Sequence, residues 1–229
     1  MNISGLQKLT LLDYPGTVAC TVFTHGCNLR CPFCHNAPLV VGTAPDQIPE
    51  EELMSFLKKR RGVLEGVAIT GGEPTLNADL PELIGRIKAL GYKVKLDTNG
   101  TNPDMLRDLL ADGLVDRVAM DIKNDPAHYA DAVGITPDME RIDRSRALLM
   151  DGAADFEFRT TVVKGIHTGE SLIGAARWIA GAREYYLQQF KDSGALILPE
   201  GLSEYSKEEM ETLLKAVKEY VPQAKLRGV

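Results

Sequence analysis

Six short β-rich runs alternate with helical patterns along 229 residues, and this alternation limits the fold more than any other feature. The runs are Thr17–Phe23 (TVACTVF), Gly66–Thr70 (GVAIT), Lys93–Asp97 (KVKLD), Arg117–Ile122 (RVAMDI), Asp155–Val163 (DFEFRTTVV) and Tyr185–Phe190 (YYLQQF). Between them, helices are predicted over Pro49–Arg60, Leu80–Leu90, Pro103–Ala111, Pro137–Met150 and Glu170–Ala180, with a short turn around Pro126–Ala132. Pro49 and the acids Glu50–Glu52 suit a first helical turn, and Gly91 suits an αL stop. A last helix is predicted over Ser206–Tyr220, with Ser206 and Glu209 as its capping box. Strand–helix alternation makes a parallel sheet with right-handed crossovers. A full barrel of this kind needs eight units in about 250 residues. Six units predict an α/β fold of the partial (β/α)6, TIM-like type, its parallel sheet open on one side. No repeat, low-complexity segment or linker divides the chain. Residues 1–229 therefore read as one domain, with a cysteine-bearing loop at 24–36 and the C-terminal helix at about 206–220.

With 44% hydrophobic residues the chain can bury a core of that size. Acids outnumber bases by 32 to 26, for a net charge of −6, and no basic cluster stands out. That pattern argues against a nucleic-acid partner. Residues 1–25 lack the charged and apolar regions of a signal peptide, and no apolar run reaches membrane length. A soluble, cytoplasmic protein with no membrane partner is expected.

The four cysteines are Cys20, Cys27, Cys31 and Cys34. A disulfide framework would spread its cysteines along the chain, and a reducing cytosol disfavours one. Cys20 lies within the apolar run Val18–Phe23 and reads as core. The other three sit in GCNLRCPFCHN (26–36) at C-x3-C-x2-C spacing. Three thiolates can ligate three irons of a [4Fe–4S] cluster and leave the fourth iron open to an exogenous ligand. A structural zinc site wants four protein ligands, usually in two separated pairs. His25 and His35 are the available additions, but His35 adjoins Cys34 and folds back onto the same ion with difficulty. No second Cys/His pair follows. The cluster reading is preferred, and a zinc-binding interaction module is the alternative.

The loop follows the first predicted strand, at the barrel mouth where such folds carry their chemistry. Gly71–Gly72–Glu73–Pro74 ends the second strand, and Asp97–Thr98–Asn99–Gly100 ends the third. Asp121 and Lys123 close the fourth, and Arg159 lies in the fifth. Alone, GGEP is an ordinary turn. Asp121 with Lys123 would equally pass for a surface ion pair worth under about 1 kcal/mol, although i and i+2 on a strand share a face. Together these segments line one rim.

These residues resemble the radical S-adenosylmethionine superfamily, whose signature is C-x3-C-x2-C with an aromatic before the last cysteine, here Phe33. ITGGEP resembles the family's GGE motif. The resemblance implies that Gly71, Gly72 and Glu73 receive the amino group of the methionine moiety. CNLRCPFCHN, LDTNG (96–100) and MDIK (120–123) are similar to the activating enzymes of glycyl radical enzymes, including the pyruvate formate-lyase type. YPG (14–16), FLKKRRGVLEGVAITGGEP (56–74) and LQQF (187–190) look most like the anaerobic ribonucleoside-triphosphate reductase activating proteins. The match runs from about residue 3 to residue 190.

The resemblance further implies that Asp97, Thr98 and Asp121 hold a monovalent cation beside the cofactor's carboxylate, that Lys123 pairs with that carboxylate, and that Arg159 and Asn99 stand near the cofactor. Related activases contact the cofactor through a histidine after the sixth strand. This chain has LQQFK, which leaves Gln188 or Gln189 to stand in, while His167 in KGIHT reads as a loop residue. With no cysteine beyond Cys34, only one cluster is expected. The implied reaction takes one electron from flavodoxin or ferredoxin, cleaves S-adenosylmethionine to methionine and a 5′-deoxyadenosyl radical, and abstracts hydrogen from a glycine of a partner glycyl radical enzyme. The partner implied is the large subunit of anaerobic ribonucleotide reductase. An open barrel side suits a substrate that is itself a polypeptide loop.

Overall fold

The computed structural model describes residues 1–42, 47–152 and 154–229. Eight strands form one sheet in chain order: β1 Ile3–Thr10, β2 Ala19–Thr24, β3 Gly66–Gly71, β4 Lys93–Thr98, β5 Arg117–Asp121, β6 Asp155–Val162, β7 Tyr185–Gln189 and β8 Lys225–Arg227. β1 is antiparallel to β2, and every later pairing is parallel. Among the described residues β1 and β8 are the two ends of the sheet, so it curves without closing.

The helices are α1 Ala37–Val40, α2 Glu50–Arg60, α3 Leu80–Ala89, α4 Pro103–Ala111, α5 Tyr129–Val133, α6 Met139–Met150, α7 Gly169–Trp178 and α8 Lys207–Val217. Sequence signals set their ends. Pro49 precedes α2, whose first turn carries Glu50, Glu51 and Glu52 and whose last carries Lys58, Lys59 and Arg60, each sign where the helix dipole favours it. Ser206 and Glu209 close a capping box on α8, and Thr168 and Ser171 close one on α7. None of these helices is long and apolar enough to cross a membrane.

The six predicted βα units correspond to β2 through β7, and the sheet is larger by one strand at each end. β1 escapes a sequence reading because it is an edge strand: Ile3 and Thr10 are buried while its later middle residues are exposed, and its register slips twice against β2. β8 is three residues long and two of them are basic. Around Pro126–Ala132 the chain forms the short helix α5 instead of a simple turn. α1, within the NAPLV segment, is also additional.

Along β4 the alternation of a strand separates two environments. Val94 and Leu96 join the apolar core beneath the helices, packed with Leu83, Ile84 and Ile87 of α3. Burying each such side chain stabilises the fold by roughly 1.5–3 kcal/mol. Lys95 and Asp97 instead turn to the barrel interior, which is lined by charge: Asp121 from β5, Glu157 and Arg159 from β6, and Arg227 from β8. Cys20 is fully buried in the core.

Candidate active site

A cavity of about 230 Å³ opens at the C-terminal ends of the strands. Fourteen of the fifteen candidate residues read from the sequence line it: Cys27, Cys31, Phe33, Cys34, Gly71, Gly72, Glu73, Asp97, Thr98, Asn99, Asp121, Lys123, Arg159 and Gln188. Leu29, His35, Asn36, Val40, Thr70 and Thr161 complete the wall. Of the two glutamines on β7, Gln188 faces the cavity. Gln189 instead donates to the Tyr205 carbonyl at 2.9 Å.

The cysteine loop is braced by backbone bonds from distant parts of the chain. His25 N donates to Asn2 O (3.1 Å), Gly26 N to Leu39 O (2.8 Å) and Arg30 N to Val133 O (2.9 Å). Glu73 N donates to Gly26 O (2.8 Å), and Leu198 N to Pro32 O (3.0 Å). The glycines of GGEP serve this packing. A Cβ on Gly72 would lie 1.9 Å from Gly26 O, and Gly71 has φ +116°, a region L side chains rarely adopt. Asn36 Nδ2 donates to Gly71 O at 3.1 Å, tying the end of the cysteine loop to the same turn.

Glu73 is wholly buried, and its carboxylate is committed to the neighbouring loops. Oε1 accepts from Thr75 N, Thr75 Oγ1 and Thr98 Oγ1 at 3.2, 2.6 and 2.7 Å. Oε2 accepts from Asn99 N at 2.6 Å. Burial pushes this carboxyl up, and the hydrogen bonds from Thr75, Asn99 and Thr98 oppose the rise. The GGEP and DTNG turns are thus held together by one side chain. From the second turn, Asn99 Nδ2 reaches Cys27 Sγ at 3.8 Å, and Leu29 N reaches the same sulfur at 3.4 Å.

The opposite wall is a chain of ion pairs. Lys95 donates to Asp97 Oδ1, and Arg159 bridges Asp97 Oδ2 (3.0 Å) and Asp121 Oδ1 (3.0 Å). Lys123 donates to Asp121 Oδ2 at 2.9 Å. This pair lines the cavity and is not the exposed surface contact that the strand pattern alone would allow. Burial alone would raise the Asp121 carboxyl, but Arg159 and then Lys123 hold it down at about 2. Burial works against the Lys123 ammonium, and Asp121 more than compensates, raising it. Beneath them, Glu157 accepts both terminal nitrogens of Arg227 (2.9 and 3.1 Å) and one of Arg117 (3.0 Å).

His167 is a buried prop. Its Nδ1 accepts from Val163 N at 3.0 Å, so Nε2 carries the proton and donates to Lys123 O at 2.7 Å. Burial lowers its pKa, and its ring meets Phe33 edge-on at 6.1 Å. No nitrogen is left for a ligand. Its role is to fix Lys123 and Phe33.

The donor set suits an iron–sulfur cluster better than one zinc ion. Tetrahedral zinc draws its thiolates to within about 3.8 Å of one another. The cavity wall supplies three thiolates, Cys27, Cys31 and Cys34, where a structural zinc site wants four protein ligands. A cluster spreads three thiolates over three irons, and N–H groups aimed at a sulfur, as at Cys27, tune it. Burial pushes the Cys31 thiol up to about 11 and also raises Cys27, so binding iron here must release protons.

Comparison with known proteins points the same way. The model of the Radical SAM superfamily matches residues 21–167. A Methanocaldococcus jannaschii protein whose name proposes a glycyl-radical enzyme activating enzyme is 32% identical over 200 residues, covering 84% of this chain and 81% of its own. A Sulfolobus acidocaldarius protein whose name proposes a GTP 3′,8-cyclase is 35% identical over 114 residues, which span 49% of this chain and 36% of the relative. Among solved structures, a domain of pyruvate-formate lyase-activating enzyme from Bacteroides vulgatus superposes with a TM-score of 0.57 at 16% identity, covering 71% of this chain and 99% of the domain. Streptococcus suis SuiB bound to its precursor peptide SuiA gives a TM-score of 0.70 at 18% identity, over 88% of this chain and 46% of SuiB. At these identities the structural likeness speaks for the fold alone.

Proposed function

The chain belongs to the radical SAM superfamily, whose members use a [4Fe–4S] cluster and S-adenosylmethionine, and we propose that it activates a glycyl radical enzyme. The observation that carries this reading is the M. jannaschii relative, similar across most of both chains, whereas the cyclase relative shares about half of this one.

When bound and reduced, the cluster supplies the electron that splits S-adenosylmethionine and yields a radical able to take hydrogen from a substrate carbon. The chain's residues bind and orient. Cys27, Cys31 and Cys34 hold the cluster, and Phe33, buried between the last two cysteines, fixes their loop. The GGEP turn presents its backbone to the cofactor's amino group. Glu73 acts chiefly by locking that turn to Asn99. Lys123 and Arg159 attract the carboxylate, and Gln188, which lines the cavity from β7, stands in for the histidine of related activases. The unclosed edge between β1 and β8 favours a polypeptide substrate, because a sealed barrel would bar a protein loop.

The partner we propose is anaerobic ribonucleoside-triphosphate reductase, with flavodoxin or ferredoxin as donor. The support is the likeness of YPG at 14–16, the 56–74 segment and LQQF to activases of that enzyme. Incubating the reduced, cluster-loaded protein with S-adenosylmethionine and each candidate partner should give a glycyl radical signal by electron paramagnetic resonance. A signal with a pyruvate formate-lyase type partner and none with the reductase would reassign the target. No signal with any glycyl radical enzyme, alongside turnover of S-adenosylmethionine, would overturn the activase reading.

A further inference from the structure

The family resemblance implies a monovalent cation at Asp97, Thr98 and Asp121, but in this protein the oxygens that would hold it already have partners. Each of the four carboxylate oxygens already accepts from a resident cation: Asp97 from Lys95 and Arg159, Asp121 from Arg159 and Lys123. The Thr98 hydroxyl donates to Glu73 at 2.7 Å and accepts from Gly100 N at 3.1 Å, so it too is engaged. Lys95 is the decisive member. It lies mid-strand with 1% of its surface exposed, and its ammonium sits on the oxygen that an alkali ion would need. A buried ammonium is tolerated only when paired, and the acids Asp97 and Glu157 of the barrel interior supply that environment.

We propose that the Lys95 ammonium is the built-in cation of this site, so that the protein binds S-adenosylmethionine without potassium or sodium. Four cations (Lys95, Arg159, Lys123, Arg227) face three anions (Asp97, Asp121, Glu157), which leaves one positive charge to meet one carboxylate. Neutralising Lys95 removes that excess. An alkali ion, a hard cation that takes oxygen ligands, can then occupy the vacated place on Asp97 and restore it.

The inference rests on reading the cavity as the cofactor site, and the experiment separates the two. S-adenosylmethionine is titrated calorimetrically into the anaerobic, cluster-loaded protein in choline chloride and in potassium chloride of equal ionic strength. The unaltered protein should bind equally in both, within about twofold. Lys95→Met should bind on the order of tenfold or more weakly in choline and recover in potassium, whereas Lys95→Arg should ignore the salt. Potassium-dependent binding by the unaltered protein, or a Lys95→Met protein indifferent to potassium, overturns the proposal. If Lys95→Met does not fold, thallium-205 resonance on the unaltered protein decides: no bound thallium is expected, and a bound signal displaced by potassium refutes. Failure to bind S-adenosylmethionine in every salt would instead overturn the cofactor reading, and the thallium signal would still settle the cation.

Discussion

Arg227→Met tests whether the short C-terminal strand secures the charged interior. Glu157 has no exposed side-chain surface, and Arg227 supplies two of its three arginine hydrogen bonds, stacking as it does so on Tyr186 at 3.7 Å from the ring centroid. Burial would raise the Glu157 carboxyl, yet Arg227 first, then Lys95 and Arg159, hold it down at about 2 from an ordinary 4.5. At about 1.36 kcal/mol per unit, that depression stabilises the folded state by about 3 kcal/mol at neutral pH. Because the folded pKa is depressed, this stability is fully present above pH 4.5 and is lost as the pH falls towards 2. Arg227→Met should therefore lose about 2–3 kcal/mol at pH 7, Arg117 keeping part of the pairing. The gap to the unaltered protein should narrow as the pH falls below 4.5. Urea unfolding of the cluster-free protein, followed by circular dichroism across that range, measures both. Adding Glu157→Gln to Arg227→Met should recover part of the loss. A loss under about 0.5 kcal/mol, or one that does not change with pH, would refute the account of the interior as a coupled ion network.

Replacing Cys27, Cys31 or Cys34 by Ala should each abolish the cluster's visible absorption. Cys20→Ala should keep the absorption and lower stability by about 1 kcal/mol as a small core truncation, so a colourless Cys20→Ala protein would show that the ligands were misassigned. Gly72→Ala drives a methyl into Gly26 O and should displace the cysteine loop, with substoichiometric iron and sulfide after reconstitution; full loading would contradict that packing. Glu73→Gln puts an amide donor among the donors of Thr75, Thr98 and Asn99, and should lower stability by about 1–3 kcal/mol and weaken S-adenosylmethionine binding, read by urea unfolding and calorimetry. Unchanged binding would show that the two turns hold without it.

The sequence made the site more legible than the edges of the fold. Motifs at the ends of β2 to β6 lie on one rim because parallel strands with right-handed crossovers deliver all their C-terminal ends to one face. β1 and β8 were hidden for want of a pattern: one is a slipped edge strand, the other three residues long. Lys95 was legible in principle. KVKLD places it on the face of Asp97, and a mid-strand lysine between covering helices must be buried and paired. Glu157 with Arg227 was not, because their contact spans 70 residues and joins strands that are not adjacent in the sheet. His167 does lie in the loop between β6 and α7, but its burial was hidden because its two bonds go to backbone atoms, which leave no signature in a side-chain motif.

Two of the braces on the cysteine loop come from far along the chain. A nascent chain that has emerged as far as Asn99 carries all three cysteines but lacks Val133 and Leu198, which hold Arg30 and Pro32 in place. The full set of braces exists only once β7 and the segment after it are in place. The cysteine loop thus depends on contacts made more than 100 residues later in the chain, so a lesion near Val133 or Leu198 would reach the cluster ligands without touching them.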